Sequence, residues 1–213
     1  MEKFYVIHLF SYLRKKYISY GLIGSLAMLL FLLNTLLFYW PAKLIRSPCF
    51  IRGRRFIEWD RGFVIGYNVR IDAFDIFNFQ KKIINFGENV QINDNVHIAG
   101  ILSINIGSNV LIASRVFITD HDHGNYSDNS MPHSLPEEFP ASRILYSKPV
   151  KIGNNVWIGE NVSILKGVCV GDGAIIGANS VVSKNVQRNS MVAGSPAKVI
   201  RKFNPKKQMW KKI

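Results

Sequence analysis

The chain has 213 residues, with 27 Lys plus Arg against 14 Asp plus Glu and a formal net charge of +13. A hydrophobic share of 48% with 12% aromatics supplies a core and excludes wholesale disorder. The charge is segregated, +8 over residues 1–55, −4 over 56–172 and +9 over 173–213, which argues against a uniformly basic nucleic-acid binder. Two cysteines, Cys49 and Cys169, cannot build a disulfide framework and point to a reducing compartment.

The first element is apolar. Residues 22–40 read LIGSLAMLLFLLNTLLFYW, nineteen positions without a charge, the length at which a helix reaches across a bilayer. Tyr17, Tyr20, Tyr39 and Trp40 bracket it as an interfacial aromatic belt does. Arg14, Lys15 and Lys16 precede it while Lys43 and Arg46 follow, so basic flanks on both sides set no orientation. The bulky Phe38-Tyr39-Trp40-Pro41 argues against a cleaved signal peptide. Residues 1–48 are therefore expected to associate with a membrane through residues 20–40, by a span or a shallow interfacial helix. The alternative is a hydrophobic helix packed on the rest of the protein.

Next comes a period of six. Ile51, Ile57 and Phe63 lead into Ile65, Ile71 and Phe77, then Phe86, Ile92 and Ile98, then Ile106, Ile112 and Ile118. From residue 152 the register is unbroken through Ile152, Ile158, Ile164, Val170, Ile176 and Val182. Gly153, Gly159, Gly171 and Gly177 follow their aliphatic residues, and Val156, Val162 and Val168 stand four places on. Six fits neither the 3.6 of a helix nor the 2 of a strand. It fits a triangular coil of short strands, three hexapeptides to a coil of ~18 residues, with coils stacked at the ~4.8 Å strand spacing. Stacking builds the core, and the ends need covers.

The run IGNNVWIGENVSILKGVCVGDGAIIGANSVVSKNV followed by VAGSPAKVIRK resembles the hexapeptide-repeat acyltransferases, in particular the maltose-, galactoside- and polysaccharide-modifying O-acetyltransferases. The likeness covers about residues 50–202. It implies an all-β fold, a left-handed parallel β-helix over 49–202 with an insertion at 119–150. The apolar helical segment precedes it and a short basic C-terminal tail, 203–213, follows. It also implies a homotrimer with acetyl-CoA held between adjacent solenoids and no metal.

The frame breaks between Ile118 and Ile152, where TDHDHGNYSDNSMPHSLPEEFPASRILYSKPVK holds three of the five histidines. A long insertion in a tightly repeating fold points to function. His121 and His123 alternate with Asp120 and Asp122, which places the histidines on one face of an extended strand. As a base, a neutral imidazole would take the proton of an acceptor hydroxyl that attacks the thioester. As metal ligands, His97, His121 and His123 would form the three-histidine zinc set of γ-class carbonic anhydrases, although the His-x-His pairing does not match that family's spacing. A third reading is a solvated polar loop. Aligned on IASRVFI, the family's catalytic histidine falls on His123, with His121 the runner-up. Asp120 or Asp122 could orient the ring, and His133 reads as loop surface.

The resemblance carries further positions. Trp157 matches the VWIG tryptophan beside the cleft, Ala178 a residue whose backbone meets the pantetheine arm, and Ser183 with Lys184 a Thr-Lys pair near the coenzyme. Lys198 and Arg201 fall where basic residues meet the nucleotide phosphates, an arrangement that ammonium and guanidinium groups suit. The match departs at Glu160, where galactoside enzymes have a small hydroxyl residue. It departs also near Ala99 and Gly100, where an acceptor-holding asparagine has no counterpart. Arg115, Tyr126, Arg143 and His97 flank the histidines as acceptor contacts.

No GxxxxGKS or HExxH motif occurs. The resemblance, together with the apolar segment, implies an acetyl-CoA-dependent O-acetyltransferase for a sugar hydroxyl of a capsule, exopolysaccharide or lipopolysaccharide precursor. Its acceptor would be a sugar or lipid-linked glycan at the cytoplasmic face of the bacterial inner membrane. The alternatives are a soluble, cytoplasmic acetyltransferase for free saccharides or antibiotics, and a non-catalytic solenoid.

Overall fold

The six-residue period closes into a three-sided prism. A computed structural model describes residues 2–213, with side chains from Ile18 onward. The side chains of Arg14, Lys15, Lys16 and Tyr17 lie outside the described residues. Each coil gives one short strand to each of three parallel sheets. The first face stacks Leu44–Ile45, Val64–Ile65, Gln91–Ile92, Leu111–Ile112, Trp157–Ile158, Ile175–Ile176 and Ser190–Ala193. The second stacks Cys49–Arg52, Val69–Ala73, His97–Gly100, Phe117–Thr119, Ser163–Ile164 and Val181–Val182. The third stacks Ile57–Trp59, Ile84–Phe86, Ile104–Ile106, Val150–Ile152 and Cys169–Val170.

Inward residues form columns because every rung pairs in register. Ile71, Ile98, Ile118 and Ile164 follow one another up the second face, all fully buried. Each buried isoleucine contributes about 1.5–3 kcal/mol, and only stacking makes that burial available. The bends between faces use the left-handed region that asparagine tolerates. Asn89, Asn95, Asn109, Asn155, Asn161 and Asn179 sit at φ of 56 to 58°. Five of them precede an inward valine. Their side chains also form ladders: Asn161 Nδ2 donates to Asn179 Oδ1 at 2.8 Å.

The start of the solenoid departs from the simple hexad count. The first rung is Leu44–Ile45, ahead of residue 49, with Ile45 fully buried. A 3₁₀ turn at Arg54–Phe56 shifts the frame, so Trp59 pairs with Phe86 in the column of Ile106. Phe77 is no corner residue. It lies in an excursion after Ala73 and is 41% exposed, and Phe86 fills the corner instead. Aromatic rings cover this end, with Trp59 stacked on Phe63 at 5.3 Å and Phe63 against Phe86 at 4.8 Å.

Helix α1 (Glu2–Phe38) is interrupted at Gly21, whose φ of 65° only a residue without Cβ adopts freely. Beyond it the helix docks on the first coils. Buried Thr35 accepts from the Ile45 N–H at 2.9 Å and donates to the Phe31 carbonyl at 2.6 Å, while Phe31 meets the Tyr67 ring edge-on. At the other end the basic tail is a β-hairpin. Lys198–Asn204 pairs antiparallel with Ser190–Ala193 and then with Met209–Lys212, with Phe203 against Trp210.

Candidate active site

The edge between the second and third faces is where the solenoid departs from its regular turn. Three successive coils bulge there, at residues 74–83, at 101–103 and at 120–149. The largest bulge begins with a buried acid. Asp120 is fully buried, and its carboxylate accepts the N–H groups of Ile101 at 3.0 Å, Leu102 at 2.8 Å and Ser103 at 2.8 Å. A bend without strand partners leaves such donors unpaired, and the carboxylate satisfies all three from the coil above.

The same carboxylate fixes a histidine. His121 Nδ1 lies 3.0 Å from Asp120 Oδ1, so Nδ1 is the donor and the Nε2 lone pair is left free. The His121 side chain is 16% exposed, sheltered yet reachable. Thr119 Oγ1 stands 3.3 Å from the same nitrogen. His123, two residues on, is exposed; its carbonyl accepts from the Tyr126 hydroxyl, and no hydrogen bond among the described residues fixes its ring. Asp122 does not orient a histidine. It pairs with Lys166 on the next coil and ties the insertion to the prism.

His121–His123 is itself a strand, antiparallel to Leu145–Ser147, and this stem carries the rest of the insertion. Inside the loop, buried Asn125 donates to the Asp128 carbonyl at 2.7 Å and accepts its N–H at 2.9 Å. Hydrogen bonds from Ser130 and Tyr146 hold the Asp128 carboxyl far below the usual range. Tyr126 and Arg143 bind each other at 2.7 Å. Arg115 sits on a different edge, between the first and second faces, paired with Glu160 at 2.5 Å. His133 lies within the loop on its exposed side.

The three histidines weighed as metal ligands do not converge. His97 Nε2 turns to Asp72 at 3.2 Å, and burial pushes its pKa down, while His121 turns to Asp120. Among the described residues no group of three His, Cys, Asp or Glu could hold a metal ion.

The residues carried over for coenzyme A divide between faces. Trp157 is 51% exposed on the first face, in an outward column with Ile175, Met191 and Arg201. Lys198 pairs with Ala193 on the same sheet. Ala178 lies exposed at the edge between the first and second faces, its N–H beside the close approach of Gly159. Ser183 and Lys184 are exposed on the edge that carries His121, two coils further along. In a triangular prism that edge lies opposite the first face. One chain therefore keeps Trp157 and His121 apart.

Residues 149–184 match the family described as bacterial transferase hexapeptide (six repeats). The chain is 45% identical over 193 residues to an Escherichia coli protein named "Putative lipopolysaccharide biosynthesis O-acetyl transferase WbbJ". That alignment covers 91% of this chain and 95% of the relative. Galactoside O-acetyltransferase of Escherichia coli is 35% identical over 66% of this chain and 64% of its own length. The fold is shared with AntD, an N-acyltransferase from Bacillus cereus solved with dTDP and 3-hydroxybutyryl-CoA. There the TM-score is 0.54 at 19% identity, over 78% of this chain and 83% of that one. Such relatives imply the left-handed sense of winding for the coil. By its repeat, its prism and its relatives, the chain belongs to the hexapeptide-repeat acyltransferase family.

Proposed function

We propose that the protein transfers the acetyl group of acetyl-CoA directly to a sugar hydroxyl of a bacterial surface-polysaccharide precursor, with His121 as the base. The observation that carries this is the Asp120–His121 pair, which leaves Nε2 as a sheltered proton acceptor. Nε2 takes the hydroxyl proton as the sugar oxygen attacks the thioester carbonyl. When the tetrahedral adduct collapses, the C–S bond breaks and the imidazolium returns that proton to the coenzyme A thiolate. The thioester is already activated, so no acyl-enzyme is needed. His123 is the second choice because among the described residues its ring has no orienting hydrogen bond.

Coenzyme A would lie against Trp157, Ala178, Ser183 and Lys184, with its phosphates near Lys198 and Arg201. Trp157 and His121 occupy opposite sides of one prism, so a site using both takes them from two chains, which supports an oligomer such as the homotrimer the resemblance implies. The name of the WbbJ relative supports a lipopolysaccharide precursor as acceptor. Mass spectrometry of surface glycans from cells with and without the gene tests the reading. Acetyl additions present only with the gene are expected, and identical glycans would overturn it.

The apolar helix supports work at the cytoplasmic face of the inner membrane. Ile18–Phe38 is long and apolar enough to span by length and composition. Gly21, however, leaves 17 helical residues, about 25 Å, short of the ~30 Å hydrocarbon core. Met28 and Thr35 face the solenoid, whereas Leu26, Leu29, Leu30, Leu33, Leu36 and Leu37 are 49–74% exposed. A helix bound on one side and apolar on the other suits shallow insertion in one leaflet. Changing Leu30, Leu33 and Leu37 together to Gln should move the protein from sedimented membranes to the supernatant. Continued sedimentation with membranes would refute it.

A further inference from the structure

The outer surface of the second face carries a charged cluster that the reaction above does not use. Asp72 is 2% exposed although its side chain points outward, because three cations or donors cover it. Arg52 grips it through Nε at 2.6 Å and Nη2 at 2.7 Å, Arg70 through Nε at 2.6 Å, and His97 Nε2 lies at 3.2 Å. One carboxylate thus organises two guanidiniums, and the cluster keeps a net positive charge. Both arginine side chains stay about half exposed, at 50% and 48%. Both line an open groove of about 510 Å³ with Phe50 and Ile51. Burying one aspartate needs a single bidentate arginine, and a second one held at the groove wall is a donor set fit for a multivalent anion.

The register ties this groove to the candidate active site. Asp72, Ala99 and Thr119 occupy one column on successive coils, and Thr119 touches His121. Two rungs separate Asp72 from Thr119, about 10 Å at the strand spacing. The small side chain of Ala99 forms the step between them. Arg52 stands on the first coil, the one on which α1 docks.

We infer that Arg52 and Arg70 bind the phosphate or diphosphate that joins the acceptor sugar to its carrier, while the sugar runs along the second face to His121. The inference rests on the carrier-linked acceptor proposed above. Carriers of two kinds present this group, a nucleotide and a polyprenyl lipid, and the shared chemistry is a glycosyl diphosphate.

The test is calorimetric titration of the full-length protein with pyrophosphate, with coenzyme A saturating its own site. Saturable binding is expected, weakened at least ~10-fold by Arg70→Gln and by Arg52→Gln, with partial recovery in Arg70→Lys, which keeps the charge but not the fork. UDP and geranyl diphosphate form the two further arms, and the tighter of them names the carrier. Equal pyrophosphate binding by wild type and R70Q would overturn the inference. So would no saturable binding by wild type, including the case where R70Q also fails to assemble, which would make the cluster a subunit contact. Acetyl transfer to the cell's surface glycans, assayed separately for each variant, reports on the proposed reaction, so the two readings fail independently.

Discussion

His121→Ala is expected to lower acetyl transfer by ~10²–10⁴-fold while leaving the thermal transition and the oligomer mass unchanged. The ring is partly exposed, and its one strong partner, Asp120, keeps three backbone donors when the ring is gone. Little folding energy is therefore lost. His123→Ala is the matched control, expected to stay within several-fold of wild type because that ring faces solvent. Single-turnover transfer from radiolabelled acetyl-CoA reads both. If H123A is inactive and H121A active, the base is His123 and Asp120 is a purely structural group.

Asp120 carries the second large effect, and it acts through two routes. Asp120→Ala strips an acceptor from the N–H groups of Ile101, Leu102 and Ser103. Leaving a buried donor unpaired costs about 1–3 kcal/mol each, so a total loss of ~3 kcal/mol or more is expected. For a chain of this size that lowers Tm by roughly 6–12 °C. Asp120→Asn separates the routes. Its one carbonyl oxygen can serve Leu102 and Ser103, which places the amide NH₂ against His121 Nδ1. The imidazole must then accept at Nδ1 and carry its proton on Nε2, the wrong tautomer for a base. D120N should keep most of the stability that D120A loses yet fall ~10²-fold or more in kcat, with KM for acetyl-CoA unchanged. Equal loss of stability and of activity in both variants would mean that Asp120 only holds the bend.

The prism was legible because its cause is periodic. A hexad with an aliphatic corner cannot be satisfied by a helix or a flat sheet, and six uninterrupted units over residues 152–182 leave one solution. The frame failed where the chain paid for an end. The 3₁₀ turn at Arg54–Phe56 and the excursion at residues 74–83 each insert residues, so Phe77 kept a hexad spacing without a hexad environment. At the site, the alternation of Asp and His announced chemistry and the alignment on IASRVFI put His123 first with His121 the runner-up, whereas the proposed base is His121. The choice of His121 depends on a contact between Asp120 and a bend almost twenty residues earlier, which only the stacking of coils creates. Asp72 was silent for the same reason: Arg52, Arg70 and His97 meet it across rungs 20 and 25 residues apart in sequence or as next neighbours on its strand.

Docking of α1 on the first coil has a geometric consequence. Thr35 clamps the helix to the first rung at Ile45, and His121 leaves the prism three rungs beyond that coil, about 14 Å along the axis. The solenoid is thus a ruler whose graduation is one coil. A relative with one coil fewer below its insertion would hold the same histidine ~5 Å nearer its apolar helix, without any change in the residues around the ring. In this architecture the distance from the docked helix to the histidine is set by counting repeats, and the number of hexads before Ile118 becomes a selectable measure of it.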